Sequence, residues 1–146
     1  MIFYTRKLYN GVQPKSGWGQ KAEREMRRRL EIWRAYNAII KPLLPTAAAR
    51  LQAKSFHDAE VESVTQKSRK VTMILDSRPD LGSYRGSRIR IVCSGVRNKI
   101  RTKGLKGQWW LYHEVHLCSR AAFVLHVLFT NSELEIEADE LTFENL

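Results

Sequence analysis

Between Gln20 and Lys41 the apolar residues recur at steps of three and four, at Ala22, Met26, Leu30, Trp33, then Tyr36 or Ala38, and Ile40. That spacing lays them along one face of a helix. It predicts that Met26, Leu30 and Trp33 are buried and that Arg24, Arg27 and Arg28 face solvent. Glu23 with Arg27 and Glu25 with Arg29 stand four apart in acid-first order, and such pairs each support a helix by roughly 0.2–0.5 kcal/mol. Pro42 ends the helix, because its ring disfavours helical geometry at Lys41 and it brings no backbone donor. A second, short helix is predicted from an N-cap at Thr46 through Leu51.

After Lys54 the period changes to alternation, with β-branched residues. Residues 59–66 and 71–76 read as two strands joined by the polar turn Lys67-Ser68-Arg69-Lys70, and 88–93 as a third. Pro79, Gly82 and Gly86 mark a loop over 77–86, and a glycine- and lysine-rich connection runs from Gly95 to Gly107. Three more runs, 109–117, 123–129 and 133–138, are separated by short polar breaks and predict a meander. A two-residue turn at Asn131-Ser132 sets Phe129 against Leu134, Val127 against Ile136 and His126 against Glu137. A turn near Arg120 sets Val115 against Leu125 and Glu114 against His126. Trp109, Leu111, Val115, Leu117, Phe123, Leu125, Val127, Phe129, Leu134 and Ile136 then share the core face, with His113 as its polar intruder. The whole predicts an α+β fold in one domain, 1–146: N-terminal helices (1–55) packed on a mainly antiparallel sheet of about five or six strands (56–146).

Charge adds a division that hydropathy does not show. Residues 1–106 carry 24 Lys or Arg against 8 Asp or Glu, while 107–146 carry 1 against 7. From Arg85 to Lys106 there are eight cations, Arg85, Arg88, Arg90, Arg97, Lys99, Arg101, Lys103 and Lys106, and no acid. Phosphates attract such a stretch, and Trp109 and Trp110 beyond it are candidates for stacking on bases. The competing reading is a solvated face with both tryptophans in the core. In the acidic part, the predicted register flanks His126 with Glu114 and Glu137. Two carboxylates beside one imidazole raise its pKa, with burial of that face as the opposing effect. A charged network explains this trio better than a metal site, because neighbouring strands seldom converge three side chains on a point.

Other motifs are weaker. His113-Glu114-Val115-His116 does not have the spacing of a helical zinc-protease motif, since its histidines are three apart on a predicted strand. His57-Asp58, Cys93 and Cys118 offer catalytic residue types that nothing in the chain brings together, and adjacent residues usually point apart. The segment 82–86 has neither the Lys of a phosphate loop nor a dinucleotide fingerprint. No cofactor is expected. Two cysteines make no disulfide framework, no run approaches a membrane span, and no signal-peptide pattern opens the chain, so a cytoplasmic protein is expected.

Phe3-Tyr4-Thr5-Arg6-Lys7-Leu8-Tyr9, Trp110 to His116, Phe123 to Phe129 and Glu133-Leu134-Glu135-Ile136 together form an aromatic-Thr-Lys-x-Leu-Tyr type of opening and an acidic-aromatic C-terminal meander. In these segments the chain resembles a group of small, uncharacterised bacterial cytoplasmic proteins, some of which are similar to immunity proteins encoded beside polymorphic toxins. The resemblance implies an α+β fold and a protein partner. The expectation is therefore a non-enzymatic interaction protein, with polyanion or nucleic-acid binding through 85–106 as the alternative.

Overall fold

The computed structural model describes residues 3–13, 19–77 and 87–146. Helices come first, α1 (Arg6–Val12), α2 (Gly19–Ile40), a 3-10 turn (Lys41–Leu43) and α3 (Thr46–Gln52). Among the described residues seven strands follow: β1 (Ala59–Lys67), β2 (Lys70–Asp76), β3 (Arg88–Ser94), β4 (Trp109–His116), β5 (Phe123–Phe129), β6 (Glu133–Ala138) and β7 (Glu140–Asn145). The architecture is α+β, with more strands than the pattern predicts. All pairings are antiparallel, in the order β6-β5-β4-β1-β2-β3-β7.

The two ends of that order are one strand. Only Asp139 separates β6 from β7; β6 lies on β5, and β7 lies on β3. The Asp139 N–H donates to the Ser94 carbonyl at 3.1 Å and the Arg97 N–H to that of Glu137 at 2.9 Å, so the sheet curls round and closes on itself. The inward faces supply the core: Val61, Met73, Ile91, Val115, Leu125, Ile136 and their strand neighbours. Such burial of apolar area is the main stabilising contribution to a fold of this kind. Ala48 and Leu51 of α3, with Ile40, Leu44 and Phe56, join the same core.

β1 and β4 pair over two positions only, Ala59 with Trp110 and Glu60 with Trp109. Beyond them the connection 95–107 fills the gap. The Gln66 side chain donates to the Asn98 carbonyl and accepts from the Ile100 N–H, both at 2.9 Å. The Asn98 side chain in turn donates to the Glu135 carbonyl (2.8 Å) and accepts from the Glu137 N–H (2.9 Å). Val96, Ile100 and Leu105 from this connection are buried in the core.

Several expectations are corrected. Thr46 is the first helical residue rather than the cap, which is Pro45. On α2, Ala22, Trp33 and Ile40 are buried, whereas Met26 and Leu30 are only half-buried; the rings that join α2 to β4, Trp33 and Tyr36, lie in its C-terminal half. Arg24, Arg27 and Arg28 are exposed, as the pattern predicts. An irregularity between Trp110 and Tyr112 puts Trp110 into the core and leaves Trp109 49% exposed. Leu117 lies past the end of β4 and is also exposed, while Leu111 is buried outside the main cluster. Glu114 pairs with His126 as predicted, but β6 is shifted by two residues: Val127 faces Leu134 and His126 faces Glu135, not Glu137. The Phe129 N–H bonds the Ser132 carbonyl, so the two-residue turn falls at Thr130-Asn131, one residue earlier than predicted; the resulting shift of two keeps every side chain on its predicted face.

Candidate functional site

The polar face of β4 and β5 is not open to solvent. Tyr112, Glu114 and His116 alternate on the outer side of β4, and α2 and residues 3–4 pack over Glu114 and His116. Glu114 is fully buried; one oxygen accepts the N–H groups of Phe3 (2.9 Å) and Tyr4 (2.6 Å), and the other accepts His116 Nε2–H at 2.9 Å. His116 Nδ1 lies 3.3 Å from the Tyr36 hydroxyl, which donates to it in this tautomer. Phe3, Trp33 and Tyr36 surround the His116 ring at centroid distances of 6.2, 5.5 and 5.5 Å. Burial, with Glu114 beside it, raises the Tyr36 pKa. The surface clefts run along α1–α2 and beside α3, and neither Glu114 nor His116 lines them.

Glu114, His126 and Glu137 do not form the predicted trio. His126 Nδ1 lies 3.4 Å from Glu135, and its ring stands edge-on to His116. Its pKa is lowered, not raised, with burial as the largest cause, so the opposing effect wins. Glu137 faces Val124 and is bonded to Arg120, with its second oxygen buried and unpartnered among the described residues. No group of three or more His, Cys, Asp or Glu among the described residues is arranged to hold a metal ion.

His113, on the core side, is a structural link. Its Nε2–H donates to the Leu51 carbonyl at the end of α3 (3.0 Å), and its Nδ1 accepts the Trp110 indole N–H at 3.2 Å. Acceptance at Nδ1 requires a neutral ring, and complete burial lowers its pKa to about 4 against the opposing Leu51 hydrogen bond. His57 and Asp58, against expectation, do face each other at 3.1 Å, because Asp58 takes a left-handed φ of 68°. The His57 ring meets the edge of Tyr112, which is itself stacked on Tyr4 at 4.8 Å. Cys93 is sealed in the core, where burial pushes its thiol up to about 12, and Cys118 is half-buried; neither thiol is bonded.

The basic segment divides in two. Arg85 lies outside the described residues. Arg88 pairs with Glu62, Arg90 with Glu144, and Arg97 with Asp139 at 2.6 Å. Lys99, Arg101, Lys103 and Lys106 are exposed and have no ion pair among the described residues. Trp109 follows them, half-exposed, while Trp110 is in the core and out of reach of any ligand.

Sequence reasoning missed a further surface. Ile32, Ile39 and Leu43 are 49%, 70% and 64% exposed. Their spacings of seven and four place them on one side of α2 and its 3-10 extension. The periodicity assigned the buried face only, and these positions read as ordinary apolar residues beside it. Arg28, four residues before Ile32, and Arg24, four before that, continue this side of α2 and are exposed, with Glu31 next to Ile32 as an exposed acid.

A family model described as "Protein of unknown function (DUF4085)" matches residues 11–137. No curated protein matches the chain.

Proposed function

The chain belongs to the DUF4085 family, whose description assigns no activity, and we propose from its geometry that it is a non-enzymatic interaction protein that binds a protein partner. The exposed stripe Ile32–Ile39–Leu43 carries this reading. Three large apolar side chains aligned on one helix leave apolar area in water that a partner surface would cover. The bordering arginines select the partner: an amphipathic surface with acidic flanks, against which a second copy of α2 would be repelled. The Glu114–His116 pair supports the same reading, because both side chains are enclosed and hold the segment before α1 against β4. No helix among the described residues is long and apolar enough to cross a membrane, and a cytoplasmic, immunity-like role is part of the proposal.

The test places a photo-crosslinking residue at position 39 in cells and compares it with one at Thr142 on β7, which is exposed and far from α2 in the strand order. A protein captured from position 39 alone, and lost when I32D/L43D accompanies the crosslinking residue, is the expected result. Surface changes of this kind alter stability by roughly 0.5 kcal/mol or less, so loss of capture reports the surface and not the fold. Equal capture from both positions, or capture from position 39 unaffected by I32D/L43D, would refute it.

A further inference from the structure

We propose that the connection from Arg97 to Trp109 is a track for an extended single-stranded nucleic acid, with Lys99, Arg101 and Lys103 meeting successive phosphates and Trp109 stacking on a base. This does not rest on the α2 reading, since the two surfaces share no residue.

The first observation is the burial pattern. Residues 97, 99, 101 and 103 are exposed, while 98, 100 and 102 are half-buried or buried; between the bend at Asn98 and the turn that begins at Lys103 this alternation puts Lys99, Arg101 and Lys103 on one side of the chain. Two residues of extended chain span roughly 6.6–7 Å, close to the distance between successive phosphates of an extended strand. Arg97 is held by Asp139, so Lys99, Arg101 and Lys103 form the rungs that have no carboxylate of their own among the described residues.

The second observation is that these rungs stand on a fixed base. Gln66 and Asn98 tie the connection to β1 and β6, and Val96, Ile100 and Leu105 anchor it in the core. A mobile lysine-rich loop loses ordering entropy when it binds; this one has largely lost it on folding.

Third, Trp109 is held with its ring half in solvent at the end of the track. Its N–H donates to Thr130 Oγ1 at 3.0 Å and its carbonyl accepts from the Thr130 N–H at 3.0 Å. The exposed carboxylate of Glu60 sits opposite it in the β1–β4 register. A phosphate is repelled there, whereas the uncharged face of a base is not. Phosphate rungs followed by an aromatic platform are the two parts that sequence-independent single-strand binding combines. Phosphate contacts and stacking on the face of a base do not read base edges, so little base preference is expected.

The experiment is fluorescence anisotropy of a labelled oligo(dT) of about 15 nucleotides, a length on the order of known site sizes, titrated with the whole chain. Wild type is compared with K99S/R101S/K103S and with R24S/R27S/R28S, which removes the same charge from α2. The loop triple should weaken binding at least about tenfold near 50 mM salt and flatten the log–log salt slope by about 2, as loss of three single-strand phosphate contacts requires. The α2 triple should change affinity less than about threefold, the residual long-range effect of net charge. W109A should lose about tenfold with the salt slope unchanged, and W109F should keep most of the affinity. All substituted residues are at least half exposed or on helix surface, and circular dichroism with a melting curve verifies that each variant folds. Equal losses in the two triples, no effect of W109A, tighter binding of a duplex of the same length, or no binding near 50 mM salt would each overturn the proposal.

Discussion

Glu114 is acceptor-only as a carboxylate, and the donors around it are two backbone N–H groups and one imidazole. Removing it in E114A leaves those donors buried without a partner, and a broken buried pair of this kind costs about 3–5 kcal/mol. E114Q should cost less, because the amide oxygen still accepts the N–H groups of Phe3 and Tyr4 while its nitrogen can donate to His116 once that ring changes tautomer. Urea midpoints rank the two variants, and amide exchange at Tyr4 and Leu8 reports whether the segment has come loose. His113 makes a separate, pH-dependent contribution. Its folded pKa, about 4, lies below the unfolded value, so the unfolded chain binds the extra proton between the two. The stabilisation is therefore present above the unfolded pKa and is lost as pH falls from about 6.5 toward 4; a depression of this size corresponds to roughly 3 kcal/mol. His126, also lowered, acts in the same direction. Urea unfolding at pH 7 and pH 5 should show the loss, and H113Q, with no titrating ring, should show less of it.

On α2, Trp33 is the residue that joins the helix to the polar face of β4, with Phe3 at 5.1 Å and Tyr36 at 5.8 Å between ring centroids. W33A is expected to cost about 3–5 kcal/mol, the range for truncating a large buried aromatic, and an unchanged denaturation midpoint would show that the helix docks by another face. This face and the alternation of β1 to β6 were legible because period is a direct consequence of one-sided burial. Two elements were not assigned. α1 is seven residues long and contains Gly11, so its helicity depends on Thr5 Oγ1 accepting the Leu8 N–H and on Tyr9 meeting Tyr112. β7 did carry a strand signal, Leu141 and Phe143 alternating with polar neighbours, but nothing local says that it belongs on β3. The candidate site was legible in residue type and not in partner. His126 and the acids were singled out, yet a two-residue shift in β6 exchanges Glu137 for Glu135, and the extent of burial that lowers the His126 pKa is set by packing that no local pattern encodes. The cations of 97–106 were visible as charge; that Arg97 is neutralised and Lys99 to Lys103 are not is a tertiary fact.

At the scale of the molecule, closure depends on a narrow passage where Gly95 meets Asp139. Gly95 has φ +69°, and a Cβ there would fall 2.5 Å from Asp139 Oδ2 and 2.8 Å from its Cβ. Asp139 cannot withdraw without releasing Arg97, so G95A combines backbone strain with displacement of the bend, each on the order of 1 kcal/mol or more. A fall in melting temperature larger than that of G104A, whose added Cβ meets nothing at a similar φ, is the expected result. The same bend also sets an order of events during synthesis. β1, β2 and β3 leave the ribosome as neighbours and can pair at once, but the free side of β3 must wait for residues 140–145, its partners from Ser94↔Glu140 to Ile89↔Asn145. For that interval the nascent chain presents an unpaired strand edge with Ile89, Ile91 and Cys93 on one face, the kind of template that recruits other chains. Arg88 and Arg90, alternating with those apolar residues, place charge on the same strand. Their ion pairs to Glu62 and Glu144 contribute little on an exposed surface; their larger effect falls earlier, as gatekeepers of an edge that translation leaves open.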